Sequence, residues 1–229
     1  MCGRFDRHRP VSAFTEVIDG VSSFDESLVP ESYNVAPSQR AAAARSVDGR
    51  ATLVSLQWGF VPAWSKNPQL SRPINARAET LAEKPMFRDA FRTGRCLILC
   101  DGYYEWRVAP GEAKQPFYIT LESAEPFVMA GLWARNEGLQ DGPIESFCVV
   151  TTEANESCRA VHHRMPLILE KKHHARWLES TRLDTSSAAV LLKVPDSRMG
   201  LTPVSRFVNS PANNGPQCIA PIETAGDNP

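Results

Sequence analysis

Apolar and polar positions alternate over short stretches of this 229-residue chain, and helical spacing is confined to a few brief runs. Residues 51–60, 115–121, 127–133 and 146–151 alternate bulky apolar side chains with polar or small ones and are separated by Gly, Pro or charged turns. Each is predicted to be a strand. Residues 95–99 and 101–106 read as strand, turn, strand, and residues 31–44 begin as an extended segment that Pro37 breaks. Residues 204–209 read as a late strand or turn.

Helical periodicity is present in three places. After Pro10, the spacing of Val11, Phe14, Val17 and Ile18 predicts a short amphipathic helix stopped by Asp19-Gly20. Pro85 at a first turn, Phe87 and Phe91 four apart, and Gly94 as a stop predict a helix of about two and a half turns. Residues 170–179 suit a short helix that buries Ala175, Trp177 and Leu178. From Ser210 onward Pro, Asn and Gly dominate, which predicts a flexible tail over 210–229 with a frayed end at 223–229. No repeat or linker divides the rest, so residues 1–209 are expected to form one domain.

Composition narrows the class without choosing a function. A hydrophobic fraction of 42% is enough for a real core. The longest apolar runs, such as 96–100, span about five residues where a membrane helix needs about 20. Arg4, Asp6, Arg7 and Arg9 precede no apolar stretch, so the start does not read as a secretory signal, and an intracellular protein is expected. Six cysteines in a chain this long then imply free thiols and not a disulfide framework. The pairs His162-His163 and His173-His174 lack a Cys-x2-Cys partner, and no metal or cofactor is expected. Net charge is −1, so any nucleic-acid binding has to come from a local patch. Between Arg72 and Arg95 the six basic residues Arg72, Arg77, Lys84, Arg88, Arg92 and Arg95 face three acidic ones, Glu79, Glu83 and Asp89. That stretch is the candidate patch.

Loss of Met1 would leave Cys2 with an α-amine and a thiol on adjacent carbons. With pKa values of about 8 and about 8.5, both have a reactive fraction near neutral pH. Such a 1,2-aminothiol attacks an aldehyde through nitrogen and closes through sulfur to a thiazolidine, or attacks an amide as an N-terminal nucleophile. Glu105, flanked by Tyr104 and Trp106, is expected to be partly desolvated, which would raise its pKa and suit it to acid/base work. Trp64, on a loop rich in Pro and Asn, offers a surface on which bases can stack.

Taken together, Met-Cys-Gly-Arg-Phe at the start, Tyr33-Asn34-Val35-Ala36-Pro37, Trp58-Gly59-Phe60-Val61-Pro62, Ile74-Asn75-Ala76-Arg77-Ala78-Glu79-Thr80, Asp101-Gly102-Tyr103-Tyr104-Glu105-Trp106 and His162-His163-Arg164-Met165-Pro166 resemble the SOS response-associated peptidase family, the abasic-site processing proteins. The resemblance runs from Cys2 to about Asn209. It implies an α+β single domain with a mostly antiparallel, barrel-like β core and short peripheral helices. It also implies a groove for single-stranded DNA and capture of the ring-opened abasic aldehyde as a thiazolidine on the mature N-terminal cysteine, with an associated peptidase or lyase activity. On this resemblance Cys2 is the nucleophile, Asn75 positions the amine or sugar, Glu105 moves protons at the opened sugar, and His162 assists ring opening and reversal. DNA contacts are carried over to Arg4, Pro37, Trp64, Arg77, Trp106 and Arg164. The implied partner is single-stranded DNA with abasic sites, including replication junctions. A monomer in the cytoplasm, associated with the nucleoid, is expected.

Three positions depart from the family pattern. His163 stands where an acidic residue is common, Ser65 follows Trp64 where some members carry a second tryptophan, and Pro85 occupies a place where a basic DNA contact can occur. An N-terminal-nucleophile glutamine amidohydrolase is the alternative for a chain beginning Met-Cys-Gly. The sole Asn-Gly pair, Asn214-Gly215, lies too near the C-terminus to serve as the oxyanion element of that class. A non-covalent single-strand binding module is a third reading.

Overall fold

A computed structural model describes residues 2–21, 29–108, 111 and 113–222, and the predicted alternation becomes twelve strands in two sheets. One sheet is antiparallel, in the order β12 (Met199–Pro203), β8 (Gln115–Leu121), β7 (Gly102–Arg107), β1 (Phe5–Arg7), β2 (Ser32–Val35). The other runs β11 (Arg164–Pro166), β10 (Ile144–Glu153), β4 (Arg50–Trp58), β3 (Arg40–Val47), β6 (Arg95–Cys100), β9 (Phe127–Asn136). Because β9 pairs with β10 as well as with β6, this second sheet returns on itself as a barrel-like ring. The short strand β5 (Asn75–Arg77) runs parallel to β10, as does the end of β4.

Period-two alternation sorts the ring's side chains to two cores. Every residue of β6 is buried. Cys96, Ile98 and Cys100 point between the sheets, where they meet Cys2, Phe5, Trp58 and Phe147. Leu97 and Leu99 point the other way, into a core with Val128, Val150 and Trp177. The strands of the ring are therefore apolar on both faces, and this removes most of the hydrophobic stripe contrast that would mark a one-sided sheet.

Residues 95–106 are strand, turn, strand but not a hairpin. At Asp101 the chain leaves the ring and enters the other sheet, with β6 against β3 and β9 and β7 against β1 and β8. A Cβ on Gly102 would lie 2.3 Å from the Tyr118 ring, so only glycine lets that ring cover the crossing.

The helices are shorter than their periodicity predicts. After Pro10 there is a single 3-10 turn, Val11–Phe14, because Ala13 and Thr15 bond three residues back to Pro10 and Ser12. Val11, Phe14 and Ile18 are buried as expected. Helix α1 (Arg88–Thr93) is preceded by turns and ends at Gly94, where a Cβ would meet the Trp133 carbonyl at 2.3 Å. Further along come α2 (Glu156–Arg159), α3 (His174–Leu178) and α4 (Thr185–Leu191). Helix α3 buries Trp177 and Leu178 together with His174, while Ala175 is exposed, a correction to the predicted face. After β12 a 3-10 turn, Arg206–Asn209, leads into residues 210–222, which hydrogen-bond back onto β2. The frayed end expected at 223–229 lies outside the described residues. No helix among the described residues is long and apolar enough to cross a membrane.

Candidate active site

Strand β5 brings the first pair together. Its parallel register with β10 turns Ala76 inward and Arg77 outward, and places Asn75 beside the N-terminal segment. The Asn75 Nδ2 donates to the Cys2 carbonyl at 2.9 Å, and its Oδ1 is buried with no hydrogen-bond partner. Cys2 is fully buried. Burial, with the negative charge of Glu105 added, pushes its thiol well above the ordinary range, so sulfur is protonated at neutral pH.

Glu105 sits on β7 opposite Phe117, with only 5% of its surface exposed. Its Oε1 accepts the Trp106 backbone N–H at 3.3 Å. The same carboxylate acts electrostatically on His162. Burial outweighs that charge and holds the His162 imidazole below its usual 6.5, so the ring is neutral at pH 7. Its Nδ1 lies 2.9 Å from the Arg164 backbone nitrogen and 3.2 Å from the Arg164 carbonyl, so the Arg164 backbone orients the ring. The orientation that an acidic neighbour would give is supplied here by backbone and by the His163 ring stacked at 4.3 Å. Cys2, Asn75, Glu105 and His162, dispersed in sequence, thus fall on one electrostatically connected patch.

Glu105 and His162 line a 460 Å³ cleft with Trp106, Val108, Lys114 and Asn209. Clefts of similar size elsewhere (480, 440 and 410 Å³) contain none of the four predicted catalytic residues, so the chemistry and not the volume marks the site. The Trp106 Nε1 donates to Asn209 Oδ1 at 2.8 Å, which fixes the indole as one wall.

The predicted DNA contacts divide by exposure. Arg77 is exposed. Arg164 is largely buried, donates to both Glu79 oxygens at 2.7 and 3.0 Å, and reaches the Thr151 carbonyl at 2.7 Å. This pairing holds the Glu79 carboxyl below its usual range. Arg4 faces inward, donating to Asn34 Oδ1 and to the Val208 and Asn209 carbonyls. Pro37 is half-buried in the turn between β2 and β3. Trp64 is 54% exposed and lines a different cleft, with Met86 and Trp133, while Ser65 is buried and its carbonyl accepts from Asn136. The basic stretch 72–95 does not form one patch. Arg95 is 2% exposed and donates to the carbonyls of Phe91, Arg92, Trp177, Glu179 and Thr181, and Arg88 and Arg92 both approach Asp89.

Sequence reasoning passed over three features. Asn34 read as turn chemistry, yet it is 1% exposed and bonded on every side. Asn209 and Lys114 reached the cleft only through the fold. Asp6, His8 and Asp101 converge, with His8 Nδ1 2.8 Å from Asp6 and 3.7 Å from Asp101. The two carboxylates hold His8 above its usual pKa, the hydrogen bond it donates to Asp6 being the main cause.

A family model described as SOS response associated peptidase (SRAP) matches residues 1–211. The abasic site processing protein YoqW of Bacillus subtilis (strain 168) is 37% identical over 227 residues, covering 96% of this chain and 99% of its own. The abasic site processing protein YedK of Escherichia coli (strain K12) is 32% identical over 228 residues, covering 97% and 100%. An X-ray structure of a protein from Bacteroides thetaiotaomicron superposes with a TM-score of 0.84 at 27% identity, covering 97% of this chain and all of the other.

Proposed function

The chain belongs to the SOS response-associated peptidase family, and from that premise we propose that it captures abasic sites in single-stranded DNA as a covalent thiazolidine on Cys2. The observation that carries the reading is the Asn75 to Cys2 bond beside a Glu105 carboxylate whose charge is felt by both Cys2 and His162.

The chemistry follows from which atom is ready to react. On this reading the α-amine freed by removal of Met1 adds first, and the thiol, whose pKa burial raises, closes the ring afterwards. An abasic sugar is mostly a closed hemiacetal, and opening it requires a proton to leave the anomeric hydroxyl and another to reach the ring oxygen. Glu105 and His162 are the two titratable groups on the cleft wall suited to those transfers. The amine adds to the aldehyde carbon, the carbinolamine loses one water to give an imine, and sulfur then adds across the C=N bond. The thiol proton ends on nitrogen, so the net loss is one water. Asn75 fixes the Cys2 carbonyl through Nδ2, and its unpartnered Oδ1 supplies an acceptor for an amine N–H. Removal of Met1 is the peptidase step of the reading, and strand scission through the imine is the lyase step that ring closure suppresses.

The bound strand is held by phosphate contacts, with Arg77 and Arg164 as the cations nearest β5 and β11, and with Trp106, Pro37 and Trp64 stacking or wedging. The DNA role supports a nucleoid-associated location. The test is denaturing electrophoresis after mixing with abasic single-stranded DNA. Wild type gives a shifted, heat-stable band, and Cys2→Ala and a Met1-retaining form give none. Glutamine hydrolysis without a shifted band would instead support the amidohydrolase alternative.

A further inference from the structure

Residues 206–214 lie against β8 and β2 and form no strand, so their carbonyls need side-chain donors where they are buried. Arg4, just before β1, and Asn34 of β2 supply them. Arg4 Nη1 donates to the Val208 carbonyl at 2.8 Å and Nη2 to Asn209 at 3.3 Å. Asn34 Nδ2 reaches the carbonyls of Val208, Ser210 and Asn213 at 3.2, 3.0 and 2.7 Å, and its Oδ1 accepts from Arg4 at 2.7 Å. Burying a guanidinium is costly, and burial lowers the Arg4 pKa. Both Nη groups find acceptors here, while Nε is buried without one.

The pinned turn ends in Asn209, whose Oδ1 holds the Trp106 indole at 2.8 Å. The backbone N–H of Trp106 in turn donates to Glu105. Arg4 lies two residues after Cys2, and its carbonyl accepts the Tyr104 N–H at 3.0 Å, one residue before Glu105. One set of bonds therefore registers the segment bearing the nucleophile, the strand bearing the carboxylate, and the turn that walls the cleft. We propose that Arg4 and Asn34 are positioning residues, a clamp that acts through Asn209 on Trp106 to hold the cleft around Glu105 in its reactive shape. Arg4 on this account is not a phosphate contact. The proposal rests on reading the cleft as the abasic-sugar site.

Asn34→Asp is the sharpest variant, being isosteric and keeping the Arg4 pairing while turning a donor against three carbonyls into an acceptor. Asn209→Ala tests the far end of the clamp at an exposed residue. The adduct-forming rate is measured at saturating abasic single-stranded DNA, alongside binding to the same DNA with an intact sugar at several salt concentrations. Asn34→Asp is expected to slow capture at saturation by about tenfold or more, the scale of losing sub-ångström positioning. Arg4→Lys and Asn209→Ala are expected to slow it by about three- to tenfold, with the salt slope of binding unchanged in every variant. Because all act on one wall, Asn34→Asp combined with Asn209→Ala should be no slower than Asn34→Asp alone. A flatter salt slope in Arg4→Lys, capture by folded Asn209→Ala at the wild-type rate, or multiplicative loss in the double variant would each overturn the clamp. Wild type that forms no adduct at all would overturn the capture reading and the clamp with it, which separates the two failures.

Discussion

At Cys2, burial and the charge of Glu105 keep sulfur protonated, so nitrogen and sulfur have separate tasks and separate sensitivities. Cys2→Ala should abolish the adduct. Cys2→Ser should nearly do so, since a hydroxyl closes the ring far less readily. Glu105→Gln should slow capture by about a hundredfold or more with DNA affinity kept, the contribution general acid/base groups make. His162 has a distinct signature. Its pKa lies below 6.5, so its neutral, proton-accepting form is complete above that value and is lost as pH falls through the lowered pKa. We expect His162→Ala to release preformed adduct more slowly than wild type at pH 7, with the gap closing in acid. A pulse-chase with unlabelled abasic DNA across pH measures it, and equal release at every pH would demote His162 to a structural hydrogen-bonder. The sequence marks Cys2, Asn75, Glu105 and His162 as candidates because their motifs are distinctive in series. Asn34 and Asn209 were not, because an asparagine that caps a turn and one that anchors a distant loop look the same in sequence. Nor does a positive charge announce whether it faces water, as Arg95 and Arg4 show.

At the scale of elements, β5 and β11 meet β10 near Thr151 and carry one arginine each. Arg77 is exposed and Arg164 is committed to Glu79, so the two should respond differently. Arg77→Ala is expected to lower the salt slope of DNA binding by about one phosphate's worth. Glu79→Gln is expected to tighten binding by freeing charge on Arg164, and unchanged salt titrations for both variants would remove these strands from the interface. The end of β1 makes a stability prediction. His8 is raised above 6.5 by Asp6 and Asp101, so its contribution is fully present below the unfolded value near 6.5 and is lost as pH rises through the folded value. His8→Gln should abolish that decline in urea-unfolding midpoints between neutral and mildly alkaline pH, and an unaltered decline would exclude the ion cluster as its source. The longer strands are legible from alternation to within about three residues at their ends, as with Gln115–Leu121, whereas β5, β11 and β12 carry no such signal. What the pattern did not contain was the change of sheet at Asp101, since a hairpin and a crossing have the same local turn chemistry. The helices were overextended because tertiary packing, not periodicity, decides how many turns survive.

For the molecule as a whole, two sheets sharing one core carry the N-terminal segment, β5 and β7 to a common place, although β5 and β7 lie about 70 and about 100 positions from that segment in the chain. With a net charge of −1, the overall field would not draw DNA in, so the proposed binding has to rest on local cations such as the exposed Arg77. The central claim is that one covalent ring consumes both the amine and the thiol of Cys2, and intact mass after denaturing alkylation of thiols tests it most directly. The chain has six cysteines, all free. Incubation with abasic single-stranded DNA is predicted to give a species of protein lacking Met1 plus DNA minus one water. That species should take up one alkyl group fewer than the unreacted protein, because the Cys2 sulfur is closed in the ring. An adduct that alkylates at every cysteine, or one that retains Met1, would contradict the account and point to an imine on a lysine instead.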